Sequence, residues 1–180
     1  MSILGRKLLA LHRALDAAGL PHGFGGAIAL AYCTRDPRGT SDLDFNVFVA
    51  ASRAEAVLSA MPDGVRSTSA SVSDLIGEGQ VRIWWGETPL DVFLNVDRFH
   101  SEVASRVSWV PFEGQHIPIL SCRALAVFKA MFDRPKDWVD IQEMIAAGAL
   151  DVELVMADLG GILGSDPRIE RLRDLSGQRG

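Results

Sequence analysis

Asp42, Asp44 and Asp91 stand inside apolar, strand-like runs, where a carboxylate needs a cation to offset its desolvation. The first two belong to Thr40-Ser41-Asp42-Leu43-Asp44-Phe45-Asn46-Val47-Phe48-Val49, the third to Pro89-Leu90-Asp91-Val92-Phe93-Leu94. Residues two apart in a strand point to one face, about 6.6 Å apart along the strand. Asp42 and Asp44 therefore project together, with Leu43, Phe45, Val47 and Val49 on the opposite face. Like charges so placed repel, and a divalent cation is the usual remedy. Mg²⁺ takes carboxylate oxygens and lets substrate phosphates complete its shell. If the Asp91 strand pairs beside the first, three carboxylates form a cradle for one or two Mg²⁺, a geometry suited to phosphoryl or nucleotidyl transfer. A lone aspartate at a strand end is an ordinary turn or cap residue. An Asp-x-Asp within an apolar strand, after a Gly-Gly turn, is harder to explain that way.

The elements that must hold these residues follow from pattern and punctuation. Leu8, Leu9, Leu11 and Leu15 form an apolar stripe over a helix at 5–18, ended by Gly19 and Pro21. Gly23-Phe24-Gly25-Gly26 is a short strand breaking into a tight turn, and Ala27 to Thr34 continue as a helix closed by Asp36-Pro37-Arg38-Gly39. The aspartate strand spans about 41–49, and Ser52 is the expected N-cap of a helix over 53–60. Residues 63–79, rich in Ser, Gly and Asp, read as irregular surface chain. Val81 to Trp85 and Leu90 to Asn95 form a hairpin about Gly86-Glu87-Thr88-Pro89, so Trp84 and Trp85 face opposite ways. A helix over 97–106 and a second hairpin, Val107 to Phe112 with Gln115 to Ile119, complete this part. Helices over Arg123–Phe132, Lys136–Ala147 and Asp151–Leu163 follow. The expectation is an α+β (mixed α/β) fold: a mixed sheet flanked by helices over 1–120, with a helical region at 121–180 packed on it.

Composition narrows the functional classes. The chain has 180 residues, 48% of them apolar, enough for a core. No apolar run approaches the ~20 residues of a membrane span. A net charge of −5 argues against bulk electrostatic binding of nucleic acid, so an RNA partner would need a local basic patch. Two sets of residues offer one: Arg35, Arg38, Lys129, Arg134 and Lys136, and the tail residues Arg168, Arg171, Arg173 and Arg179. The tail also reads simply as a solvated, partly disordered end. Cys33 and Cys122 lack metal-ligand spacing and read as buried free thiols, which favours the cytoplasm.

Gly25-Gly26 opens a helix directly after a strand, where glycines allow close approach of a phosphate to free N–H groups. With that turn about sixteen residues before Asp-x-Asp, the chain resembles the nucleotidyltransferase fold of the polymerase-β superfamily. The resemblance runs through Gly25-Gly26, Arg38-Gly39-Thr40-Ser41-Asp42-Leu43-Asp44 and Leu90-Asp91-Val92-Phe93, and covers about residues 20–147. Within the superfamily it is most similar to AbiEii-type toxin nucleotidyltransferases and their small relatives, which share a downstream Lys and an Arg-x-Lys-Asp helix start. Here these are Lys129 and Arg134-Pro135-Lys136-Asp137-Trp138-Val139-Asp140.

The resemblance implies that Asp42 and Asp44 ligate Mg²⁺ carrying a nucleoside triphosphate, while Asp91 completes a two-metal site or serves as general base. Gly25, Gly26, Arg38, Thr40, Ser41, Lys129 and Lys136 would bind the nucleotide. It further implies transfer of a nucleoside monophosphate to tRNA or other RNA, or to a protein side chain, with a cognate antitoxin among the partners. Two alternatives stand beside it: transfer to a small molecule such as an antibiotic, and a non-catalytic nucleotide- or partner-binding module. Bland readings exist for single residues. Lys129 can snorkel to solvent, Asp133 to Asp137 can be an inter-helix turn with Asp137 and Asp140 favourable to the helix dipole, and His22 can be structural.

Overall fold

The computed structural model describes residues 2–96 and 98–177. Among them the elements run α1 (Ile3–Ala17), β1 (His22–Phe24), α2 (Gly26–Thr34), β2 (Leu43–Ala50), a 3₁₀ turn (Ala51–Arg53), α3 (Ala54–Ser59), β3 (Val65–Arg66) and α4 (Ser69–Glu78). Then come β4 (Gln80–Trp85), β5 (Thr88–Asn95), α5 (Arg98–Ala104), β6 (Ser108–Phe112), β7 (Gln115–Ile119), α6 (Cys122–Phe132), α7 (Pro135–Ala146), α8 (Val152–Leu163) and α9 (Pro167–Gly177). The fold is α+β, with a seven-stranded mixed sheet in the order β3-β4-β5-β2-β1-β7-β6. No helix among the described residues is long and apolar enough to cross a membrane.

Two compact units divide the chain. One takes the residues up to Ile28 together with Gly39–Ile119, the other Ala29–Arg38 together with Leu120 onward. The first holds the whole sheet. Parallel pairing of β2 with β5 sets Leu43 opposite Leu90, Phe45 opposite Val92 and Val47 opposite Leu94. All six side chains are at most 1% exposed, and they form the apolar face that alternation in the two strands demands. Helix α1 lays its leucine stripe into the same core, with Leu8, Leu9, Leu11 and Leu15 buried. Polar contacts tie it down: the Lys7 ammonium donates to the Trp85 carbonyl at 2.6 Å and the Thr88 hydroxyl at 2.7 Å, and Arg13 donates to Gln115.

His12 of α1 and His22 of β1 meet inside this unit. His22 Nδ1 lies 2.8 Å from the Leu20 carbonyl, which can only accept, so that nitrogen carries the proton. His22 Nε2 is then the acceptor for His12 Nδ1, 2.9 Å away. Burial lowers the pKa of both rings, and for His22 it outweighs the hydrogen bond to Leu20. His22 is thus structural.

The second unit is helical. α6 begins at Ser121, whose hydroxyl caps Ala124 N–H, and it ends at Asp133 in the left-handed region (φ 56°). α7 starts with Pro135 in its first turn, which suits a ring that lacks the N–H. Cys33 at the end of α2 and Cys122 at the start of α6 form a disulfide, with Cα atoms 5.6 Å apart. This overturns the expectation of free thiols. Neither cysteine's local sequence records the other's position, since 89 residues separate them. The argument from thiols to a cytoplasmic location falls with it.

Other departures are local. Ser52 lies inside the 3₁₀ turn and does not cap α3, whose N-cap is Arg53. Within 63–79, β3 and α4 replace irregular chain. α4 carries a Thr68/Ser71 capping box and a left-handed Gly79, but only Leu75 is buried, so the apolar period is weak. The tail is helical as α9, with Leu172 wholly buried, and is not a loose end. Arg168 is held by Asp166 and the Met131 carbonyl, Arg173 by Glu170, and Arg171 stacks 4.3 Å over the Trp138 ring. Three of the four tail arginines therefore have partners within the protein; Arg179 lies outside the described residues, as does Asp97 at the start of the expected 97–106 helix.

The two histidines bind protons less readily folded than unfolded, so stability holds above their ordinary pKa of 6.5 and declines as pH falls below it. Urea midpoints from pH 8 to 5 should show this fall, and His22→Gln should flatten it. Reduction of Cys33–Cys122 should lower stability by about 2–4 kcal/mol, measured as the midpoint shift on adding reductant. Non-reducing peptide mapping should recover the pair.

Candidate active site

Strand register builds the site in the sheet unit. Asp44 of β2 is the Cα partner of Asp91 on β5, and Asp91 is the partner of Arg82 on β4. Arg82, Asp91 and Asp44 therefore form one row across three adjacent strands, on the face opposite Leu43, Leu90 and Ile83. At the roughly 4.8 Å strand spacing, two carboxylates repel by about 3.5 kcal/mol at an effective dielectric constant of about 20. Arg82 answers this repulsion directly. Its Nε donates to Asp91 Oδ1 at 2.7 Å and its terminal nitrogen to Oδ2 at 2.6 Å, a bidentate pair. The guanidinium pKa is pushed up, first by that hydrogen bond, with burial opposing and the charges of Asp91, Asp42 and Asp44 adding. The guanidinium thus pairs with Asp91 and lies in the field of Asp42 and Asp44.

Asp42 lies one residue before β2 begins, two ahead of Asp44. Thr40 fixes it, its hydroxyl donating to Asp42 Oδ1 at 2.5 Å. Ser41 beside it is exposed. Gly25 and Gly26 close on Asp44 from the start of α2: Gly25 N–H donates to the Asp44 carbonyl at 2.8 Å. Gly26 has φ +50°, and a Cβ there would stand 2.0 Å from Asp44 Oδ2. The Gly-Gly turn is therefore shaped around a carboxylate, and any larger residue would collide with it. Trp84, two residues from Arg82 on the same face of β4, is 44% exposed. Trp85 points the other way, with Lys7 5.5 Å from its ring.

Arg38, Lys129 and Lys136 belong to the helical unit. Lys129 is buried there, not snorkelling, and its ammonium sits 2.6 Å from Asp140 and 3.5 Å from Asp137. Arg38 pairs with the same Asp140 at 3.1 Å and with Glu143. Asp137 has no exposed surface. Burial would raise its carboxyl pKa, but hydrogen bonds from Arg134 and the charges of Arg134 and Lys129 outweigh it and hold it low. Lys136 is exposed on the first turn of α7. This stretch is an ion-pair network, so Arg38, Lys129 and Arg134 do not form a bare basic patch. Asp137 and Asp140 answer the lysine as well as the helix dipole.

Arg82 is the residue that motif reading passes over. Hairpin arithmetic finds it: Trp85 opposite Thr88 across Gly86-Glu87 places residue 82 opposite 91. Asp44 and Asp91 in the row, with Asp42 two residues upstream of Asp44, offer only hard carboxylate oxygens, the chemistry Mg²⁺ prefers. Among the described residues, no three His, Cys, Asp or Glu side chains converge into a ready metal cage. Arg82 stands in as the cation.

No family model and no curated protein sequence matches the chain. Solved structures do. ANT(2'')-Ia in complex with adenylyl-2''-tobramycin superposes with a TM-score of 0.58 at 16% identity, over 99% of each chain. The chain has the nucleotidyltransferase fold. An antigenic nucleotidyltransferase-like protein from Paracoccidioides brasiliensis gives 0.56 at 16% identity, over 96% of this chain and 92% of its own. The antibiotic-resistance factor ANT(2'')-Ia in solution gives 0.52 at 17% identity, over 98% and 92%. In the sheet unit, register sets Asp44 beside Asp91, Thr40 holds Asp42, and the glycine turn closes on Asp44.

Gly26→Ala should destabilise the protein by more than about 1 kcal/mol, because it meets both a positive φ and the Asp44 carboxylate. Gly39→Ala, with nothing within 4 Å of its Cβ position, should stay within about 0.5 kcal/mol of wild type. Chemical denaturation of the two variants checks the contrast.

Proposed function

We propose that the protein is a metal-dependent nucleotidyltransferase that moves a nucleoside monophosphate from a nucleoside triphosphate to a small hydroxyl-bearing acceptor. The observation that carries this reading is the register of Asp44 beside Asp91, with Asp42 two residues upstream. Asp42 and Asp44 would hold the divalent cation, Mg²⁺ by the chemistry of the donors, and Asp91 would join them or take the proton of the acceptor hydroxyl. Bound there, the cation would polarise the α-phosphate and neutralise the departing pyrophosphate. Thr40 orients Asp42, and Gly26 leaves Asp44 room at the mouth of α2. Gly25, Gly26, Thr40 and Ser41 are the nucleotide-binding candidates of this unit. Arg38, Lys129 and Lys136 enter the reading through the sequence resemblance alone.

Three features favour a small acceptor over RNA. The net charge is −5, the described tail arginines Arg168, Arg171 and Arg173 already have partners, and a solved structure sharing the fold over 99% of both chains holds adenylyl-tobramycin. Aminocyclitols are polycations, and a protein of net charge −5 attracts them where it would repel RNA. The half-exposed Trp84 offers a flat apolar surface beside that row, fit for a sugar ring or a base.

The test is transfer of α-³²P label from each of the four NTPs, with Mg²⁺ or Mn²⁺. The acceptor arms are an aminoglycoside panel, total bacterial tRNA and the protein itself. Label is expected on the small molecules, and Asp44→Asn should lower it by at least about 10²–10³-fold while the protein stays folded. Label on tRNA or on the protein instead would keep the transferase and replace its acceptor. A folded protein that neither labels anything nor binds Mg²⁺–NTP would refute the reading.

A further inference from the structure

Arg82 has no part in the chemistry just described, yet it is bound to one of its carboxylates. Its guanidinium engages both oxygens of Asp91 at 2.6 and 2.7 Å. Asp91 lies beside Asp44 in the next strand, so the arginine caps the end of the carboxylate row. Little else holds it there. Among the described residues Asp91 is the sole hydrogen-bond partner of Arg82, and the Arg82 side chain is 53% exposed against 17% for Asp91.

We propose that Arg82 is a displaceable counter-ion: it offsets the charge of Asp91 at the end of the carboxylate row while no divalent cation is bound and swings into solvent when one binds. A dication held by Asp91 and a guanidinium on the same carboxylate would repel strongly, whereas an exposed ion pair is worth little on its own. The weaker interaction yields. Arginine suits the post because it is always charged and its planar fork matches the carboxylate, so Asp91 keeps its counter-charge at any working pH. The long, half-exposed stem lets it leave without moving the strand. Cation affinity is thereby lowered by a built-in competitor, which makes loading depend on a cation that arrives with its own compensating ligands, such as triphosphate oxygens.

This inference rests on the metal-dependent reading above, and its test separates the two. Mn²⁺ is titrated, first without nucleotide and then with NTP, into the full-length wild type, Arg82→Gln, Arg82→Lys and Asp91→Asn, and free Mn²⁺ is read by electron paramagnetic resonance. Thermal melts with and without Mn²⁺ run in parallel and confirm that each variant folds. Arg82→Gln should bind Mn²⁺ about two- to fivefold tighter than wild type, with Arg82→Lys between them and Asp91→Asn weaker than either. The Mn²⁺-induced rise in Tm should likewise be larger in Arg82→Gln. If wild type and Arg82→Gln bind equally, or the variant binds more weakly, the competition is overturned and the metal site stands. If neither binds Mn²⁺, with or without NTP, the counter-ion proposal and the metal-dependent reading fall together.

Discussion

The parallel pairing of β2 with β5 sets everything else in the sheet unit. One register decision places Leu43, Phe45 and Val47 against Leu90, Val92 and Leu94 on a face that excludes water, and on the other face it brings Asp44 beside Asp91. A slip of one residue would bury the aspartates and expose the leucines, so core packing and carboxylate placement cannot be separated. The burial of six apolar side chains stabilises an arrangement that two repelling carboxylates oppose. The hairpin that adds β4 then delivers Arg82 to the end of the row. Its turn, Gly86-Glu87, sits far from the carboxylates but decides which side chain meets them.

The helical unit handles charge differently. Lys129 is buried and its partners are fixed on the next helix, where Asp137 is also held by Arg134. Breaking one member would strand a charge in a place that water does not reach, so the network acts as a lock. Arg82 with Asp91 is the opposite case, a pair at the surface with room to part. The same residue types thus give rigidity in one unit and a movable ion in the other, and exposure is what separates them.

Much of the architecture was legible in the chain because it is written in short-range patterns. The two hairpins, the glycine turn and the helices from α6 to α8 carry period-two or helical spacing with clear stops. α4 was not, because Ser-rich sequence and a single buried Leu75 leave almost no apolar period. The capping box of Thr68 and Ser71, with Gly79 behind it, was the available sign. α9 was obscured by its charge, which only becomes intelligible once each arginine's partner is known. In the site, Asp42, Asp44 and Asp91 were conspicuous as carboxylates out of place. The partners of Lys129 were not, since Asp140 also reads as an ordinary helix residue, and the Cys33–Cys122 bond depends on a contact that no local spacing encodes.

That disulfide has a consequence for how the chain is threaded. The polypeptide leaves the sheet unit after Ile28, contributes Ala29–Arg38 to the helical unit, returns at Gly39 and departs again at Leu120. Cys33 lies within the short excursion and Cys122 at the start of the later segment, so the bond staples the two separate visits together. Neither unit is a continuous stretch of sequence. A chain ending at Ile119 would carry ten residues of a partner it no longer has, with an orphan thiol among them. During synthesis, the helical unit's first piece must wait some eighty residues for the rest, and the aspartate strand that follows it is made before either unit can be complete.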